Sequence, residues 1–183
     1  AALCSIVLGM GLPTAASYLM VIFVAGPAIM ELGVSKLSTH LFVFYYAVLS
    51  AITPPVALAI FAAAAIAKEK PVALALNALR LASVGFVLPI AWVYHPEIII
   101  GADGTGILDA LPYLPLLMIG IIALSAAHVG HLFRQLNMPE RLVLAVGAVA
   151  TLIPSMVINL AAALFILLVF ANAYWGSQNV KTA

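Results

Sequence analysis

The apolar positions of this chain come in long unbroken runs, punctuated by short clusters of Gly, Pro and charge. Residues 1–8 are largely apolar and run into Gly9-Met10-Gly11-Leu12-Pro13-Thr14; a second apolar arm, 15–25, ends at Gly26-Pro27. A polar stretch, 31–39, leads into residues 37–67, which hold no Asp, Glu, Lys or Arg. Those 31 residues would make a straight helix of about 46 Å, against a hydrocarbon core of about 30 Å. Lys68-Glu69-Lys70-Pro71 closes the run, and further apolar spans follow over 71–94, 112–133 and 142–170. Membrane barrels alternate apolar and polar residues, whereas these runs are continuous. The pattern therefore predicts an all-α integral membrane chain.

Two places break the runs. Gly9, Gly11 and Pro13 open the first, where glycine frees the backbone and proline removes a donor. The flanking arms are short beside the ~20 residues of a full span. They predict a re-entrant hairpin over 1–30 with its tip at 9–14 and its first arm truncated; one kinked span is the alternative. The second break is Ser50-Ala51-Ile52-Thr53-Pro54-Pro55, in the middle of 37–67. Adjacent prolines cannot continue a helix, so 37–67 reads as a discontinuous transmembrane helix broken at 53–55. In a bilayer such opened backbone is stable only inside protein or beside a watery cavity. Residues 71–94 read as one span, 111–170 as a two-helix C-terminal extension, and 171–183 as a polar tail.

Composition and charge narrow the class. Only 7% of the residues are charged, against about 25% in soluble domains. A net charge of +1 offers no basic patch for nucleic acid. The single Cys4 excludes a disulfide within the chain. The first residues have neither an initiator Met nor a charged stretch, and read as a fragment that begins inside a membrane segment. Lys68 and Lys70 mark one loop as cytoplasmic, and Arg134 and Arg141 another; the loop 95–109 between them has three acids and no Lys or Arg. If 37–67 crosses, the loop 31–36 is external and the hairpin dips in from outside.

The breaks also carry chemistry. Thr53 is a favoured N-cap residue and Pro54 suits the first helical position, so a half-helix is expected from Val56. Freed carbonyls at the end of the preceding half-helix offer oxygen ligands, and the new N-terminus offers N–H groups to an anion. Hydroxyls at Thr14, Ser17, Ser50 and Thr53 lie beside the two breaks, with Thr14 and Thr53 as ligands for Na⁺. No carboxylate lies there, so Zn²⁺-type chemistry is disfavoured. The alternative is that Gly and Pro make only packing kinks.

Gly9-Met-Gly-Leu-Pro-Thr14, Glu31-Leu-Gly-Val34, His40-Leu-Phe-Val-Phe-Tyr-Tyr46 and Leu49-Ser-Ala-Ile-Thr-Pro-Pro-Val-Ala-Leu58 resemble the large permease of the TRAP (tripartite ATP-independent periplasmic) transporters, most closely the fused type. The likeness is strong across 9–94 and weak beyond Ala110. It implies the C-terminal half of an inverted-repeat secondary transporter in a bacterial or archaeal inner membrane, multi-pass, with an elevator-like movement. Function would be import of small organic acids, usually carboxylates, on a sodium gradient, with no other cofactor. The implied partners are a periplasmic substrate-binding protein, membrane lipid and the missing N-terminal half of the permease, which holds the other half of the site. The implied cation and substrate site is Gly9, Gly11, Pro13, Thr14, Ser17, Ser50, Thr53, Pro54 and Pro55. Many family members read Thr-Pro-Pro-Val-Gly where this chain has Ala57.

Other features take ordinary readings. His128 and His131 could share a helix face, but interfacial roles suit them better. His40 reads as interfacial, His95 as flanking an external turn, Arg80 as snorkelling, Asn77 and Asn159 as interhelical hydrogen-bonding residues, and Trp92, Tyr94, Tyr113 and Trp175 as an aromatic belt. With no His-Glu-x-x-His and no nucleophile–base pair at mid-span, an enzyme is not expected. A structural or assembly subunit without its own transport site is the alternative function.

Overall fold

The structure, a computed structural model, describes residues 1–101 and 104–181. Asp103 of the acidic loop and residues 182–183 of the expected tail lie outside the described residues. Among the described residues there are ten α-helices and no β-strand, only an isolated bridge between His131 and Gln135. The chain divides into two compact units, Ala1–Thr105 and Gly106–Ala183.

In the first unit, α1 (Ala2–Gly9), α2 (Thr14–Glu31) and α3 (Lys36–Ser50) pack on one another, and α6 (Leu88–Tyr94) leans on α3. α4 (Leu58–Ala67) packs against α5 (Pro71–Ala82). Ser35 starts α3 by accepting a hydrogen bond from the Ser38 amide at 3.2 Å, as N-cap serines do. The core joins Val21, Ile22 and Ile29 to Phe42, Val43, Tyr46 and Leu49. Large apolar side chains such as Leu3, Phe23, Ile66 and Leu81 point outward, the surface of a helix set made for lipid rather than water.

Two expectations for this unit change. The second arm does not end at Gly26-Pro27: α2 continues through Pro27 to Glu31. Apolar membrane helices tolerate an internal proline, and the actual stop is Gly33, whose φ of 89° lets its N–H reach the Met30 carbonyl at 2.9 Å. The expected span 71–94 is two helices, α5 and α6, separated by turns over 83–87. Pro89 is the reason: it has no N–H for the carbonyl of Gly85, and its ring clashes with the turn before it.

In the second unit, α7 (Ile107–Ala110) precedes α8 (Tyr113–Val129), α9 (Met138–Ala150) and α10 (Met156–Lys181), and the last three pack together. The extension is thus three long helices rather than two. Pro154 breaks the expected span 142–170 at residues 151–155. Nor do residues 171–181 form a separate tail, because α10 carries on through them and buries Ala173 in the core. That core is made largely of small residues, Ala123, Ala126, Ala127, Ala148 and Ala173, around Leu144 and Ile166. Small side chains let membrane helices approach closely, where no hydrophobic force separates protein from lipid. α2, and α10 over Met156–Gln178, are each long and apolar enough to cross a membrane by length and composition.

His128 and His131 do not share a helix face. Gly130, at φ 76°, ends α8 between them, and His131 lies in the tight turn that follows. Among the described residues no group of three metal-ligating side chains gathers. Within that turn Arg134 pairs with Glu140 at 2.5 Å, and Glu140 also accepts the Asn137 amide at 2.9 Å at the start of α9. The hydrogen bond from Arg134 holds the Glu140 carboxyl below its usual range.

Gly120 of α8 is a tight crossing, since a Cβ built there would overlap the Thr151 hydroxyl at the end of α9. Gly120→Ala is expected to destabilise the second unit by about 1–3 kcal/mol. Thermal unfolding in detergent checks this, and Thr151→Ala in the same chain should recover most of the loss.

Candidate functional site

α3 ends at Ser50 because the chain ahead cannot stay helical. The N–H groups of Ala51, Ile52 and Thr53 tighten onto Val48, Leu49 and Ser50 at 3.1–3.2 Å, a 3₁₀-like last turn. Pro54 and Pro55 follow, joined by a cis peptide. The Ala59 amide then reaches back to the Ala51 carbonyl at 3.0 Å, closing the break into a loop. The second half-helix therefore begins at Leu58, with Ala57 as its N-cap residue, not at Val56 with Thr53 as the cap. Pro54 precedes another proline, which disfavours helical geometry at Pro54 and rules it out as the first helical residue. Thr53 instead turns its hydroxyl back, donating to the Leu49 carbonyl at 2.8 Å.

The tip of the first helical pair is built in a similar way. Gly11 has φ 81°, in the left-handed region that favours glycine. Pro13 is the residue before α2 and Thr14 its first member. Ser17, fully buried one turn later, donates its hydroxyl to the Gly9 carbonyl at 3.0 Å and so ties the start of α2 to the end of α1.

The two breaks meet. A Cβ on Gly9 would lie 2.7 Å from the Ser50 Oγ and 3.5 Å from the Ser17 Cβ, so both serines close over this glycine. A Cβ on Gly11 would touch Val56 at 3.5 Å. Gly9, Gly11, Ser17 and Ser50 thus share one junction, formed by α1, α2, α3 and the loop. Thr53 stands one turn beyond Ser50, and no hydrogen bond among the described residues ties it to half-buried Thr14. Pro54 and Pro55 face elsewhere: with Ala57, Ile60, Val72 and Ala75 they line an apolar cavity of about 200 Å³ between the loop, α4 and α5. None of the four hydroxyl residues lines that cavity. Of the nine expected residues, four therefore share a polar junction and two line an apolar cleft, while no contact among the described residues places Pro13, Thr14 or Thr53 in either.

Three of the four hydroxyls beside the breaks have their hydrogens committed. A hydroxyl has one hydrogen and two lone pairs. Ser17, Ser50 and Thr53 each give that hydrogen to a carbonyl, of Gly9, Ala47 and Leu49 respectively. What remains is oxygen lone pairs, which suit a hard cation rather than an anion. The α4 N-terminus is weaker for an anion than the sequence suggests, because the Ala59 amide is already bonded to Ala51.

Sequence reasoning missed the side-chain hydrogen bonds that hold this region in place. Tyr46, buried in α3, donates to the Phe86 carbonyl at 2.6 Å and satisfies the backbone opened between α5 and α6. Tyr18 of α2 and His40 Nδ1 of α3 are hydrogen-bonded at 2.6 Å, and Tyr18 also meets Phe44 edge-on. The signal was the aromatic run His40–Tyr46, where a tyrosine on an apolar face implies a partner for its hydroxyl. His95, expected beside an external turn, is buried.

The family described as Tripartite ATP-independent periplasmic transporter, DctM component, matches residues 1–98. No curated protein and no solved structure matches the chain. The matched residues lie within the first unit and contain both breaks.

Two substitutions test this geometry. Gly9→Ala is expected to cost about 1–3 kcal/mol by driving a methyl into Ser50, with Ser50→Ala in the same chain relieving only part of it, because the Ser50 Cβ would still lie 3.0 Å away. Ala57 has φ 42°, a left-handed conformation that costs a non-glycine residue about 1 kcal/mol. Ala57→Gly should therefore raise stability by an amount of that order, read as a higher melting temperature in detergent; a fall would refute the strain.

Proposed function

The chain belongs to the DctM-component family of tripartite ATP-independent periplasmic transporters, a family of membrane permeases, and we propose that residues 1–98 form one inverted-repeat half of a sodium-coupled organic-acid importer. In this reading α1 and α2 form a re-entrant hairpin with its tip at 9–14, and α3 and α4 form the discontinuous helix. The observation that carries the cation is the orientation of the hydroxyls. Ser17, Ser50 and Thr53 all donate to carbonyls, so each offers only lone pairs, next to backbone opened at the end of α3. An uncharged oxygen set without Asp or Glu fits a monovalent cation better than a divalent one. Discontinuous helices of transporters bind coupling ions on such carbonyl-rich ends.

The substrate side follows from the family. An organic acid, delivered by a periplasmic binding protein, would sit between this half and a complementary half with the same two elements in inverted topology. The apolar cleft at Pro54, Pro55 and Ala57 would border the carbon skeleton, and an elevator-like movement would carry cation and acid together. Neither step calls for a cofactor or a covalent reaction, which agrees with membership of a transporter rather than an enzyme family.

Uptake of a labelled carboxylate by liposomes holding the permease and its binding protein tests the proposal. Transport should require Na⁺. The double variant Thr14→Ala/Thr53→Ala should raise the sodium concentration for half-maximal uptake by roughly tenfold, the effect of losing about 1.5 kcal/mol of ligand interaction. An unchanged sodium dependence would remove these hydroxyls from the cation site. Failure of any uptake, under sodium or proton gradients, would favour an assembly subunit instead.

A further inference from the structure

In the second unit, Arg141 sits in an unusual place. It is in the first turn of α9, where the positive end of the helix dipole disfavours a cation. The acid beside it, Glu140, is committed to Arg134 through two hydrogen bonds. Arg141 instead reaches across to the end of α8, where its Nε donates to the Ala127 carbonyl at 2.8 Å and its Nη2 to the His128 carbonyl at 3.2 Å. Its Nη1 has no acceptor among the described residues, and no carboxylate neutralises it there. Two bonds hold the guanidinium rigid while part of it stays open.

That guanidinium borders a groove of about 240 Å³ between α8 and α9. His128, Met138, Arg141 and Leu142 occupy the helix turns nearest the loop, while Leu124 and Ala145 extend the groove farther along the helices. The groove is therefore amphiphilic along the helices, basic at the end whose loop carries Arg134 and Arg141, the arginines that mark a loop as cytoplasmic, and apolar beyond it.

We propose that this groove is a binding site for an anionic phospholipid of the cytoplasmic leaflet. The phosphate accepts hydrogen bonds from Arg141 Nη1 and from the exposed His128 ring, and one acyl chain lies over Leu124, Leu142 and Ala145. Basic pockets between membrane helices bind anionic headgroups in this manner. A zwitterionic lipid presents the same phosphate, but its ammonium group finds no free carboxylate, since Glu140 is held by Arg134. The site lies outside the residues that match the family and is independent of the transport proposal.

Native mass spectrometry of the full chain, released from micelles doped equally with phosphatidylglycerol and phosphatidylcholine, tests it. The wild type should retain phosphatidylglycerol about fivefold better, the preference expected for one basic group near the headgroups. Arg141→Lys should keep most of that preference and Arg141→Gln should abolish it. Ala145→Phe, which fills the groove and leaves every charge in place, should abolish it too, and decides the matter if loss of Arg141 unfolds the α8 end. Millimolar inorganic phosphate should not displace the lipid, because it lacks the chain. Equal retention of both lipids by the wild type overturns the proposal. So does a preference that survives Ala145→Phe, or displacement by phosphate alone.

Discussion

An apolar chain that interrupts its own helices must satisfy the opened backbone from within, because lipid supplies no hydrogen bonds. Everything particular to this structure follows from that constraint. Each break has a nearby hydroxyl that answers it. Ser50 and Thr53 return to the carbonyls of α3, Ser17 holds the end of α1, Tyr46 reaches Phe86, and Thr151 bonds Ala148 at the end of α9. Backbone amides complete the work, as where Ala59 bonds Ala51 across the proline loop. The polar groups are thus drawn to the same places where the helices end.

Close helix approach follows from a second choice of residue. With hydroxyls at the helix ends, the opposing wall must be thin, and glycine supplies it. Gly9 receives Ser17 and Ser50, and Gly120 receives Thr151. A single methyl at either place meets an oxygen, so packing and polar satisfaction are one problem there. Alanine does the same with less constraint elsewhere in the second unit, where five alanines make up most of the core. The large apolar side chains are left to face outward.

Much of this was legible in the sequence, and the misreadings share one cause. The all-helical class followed from continuous apolar runs. Both principal breaks were marked by Gly and Pro, and the residues grouped at Gly9, Ser17 and Ser50 were those singled out. The boundaries went astray where a proline was weighed by itself. Pro27 looked like a stop and is carried inside α2, whereas Pro89 and Pro154 looked compatible with long spans and break them. A lone proline leaves the choice to its neighbours. At Pro89, Tyr46 of another helix offers a bond to the opened Phe86 carbonyl. At Pro154, Thr151 fits against Gly120. Such partners are distant in the sequence and could not be assigned before the helices were placed. The direction of the hydroxyl hydrogens was equally hidden, because it depends on which carbonyls the fold brings within reach.

A hydroxyl seated on a glycine beside a proline break occurs in both units, so a break by itself is no sign of a binding site. What separates the first unit is convergence. Its tip and its broken helix come from chain segments about 40 residues apart, and they meet so closely that Gly9 touches both serines while Gly11 faces Val56. The second unit has one break against an intact helix, α8. Two opened backbones meet at one junction, where Ser17, Ser50 and Thr53 each give their hydroxyl hydrogen to a carbonyl. That convergence, confined to the part of the chain that carries the family match, is what sets the breaks of the first unit apart from the bend at Pro154.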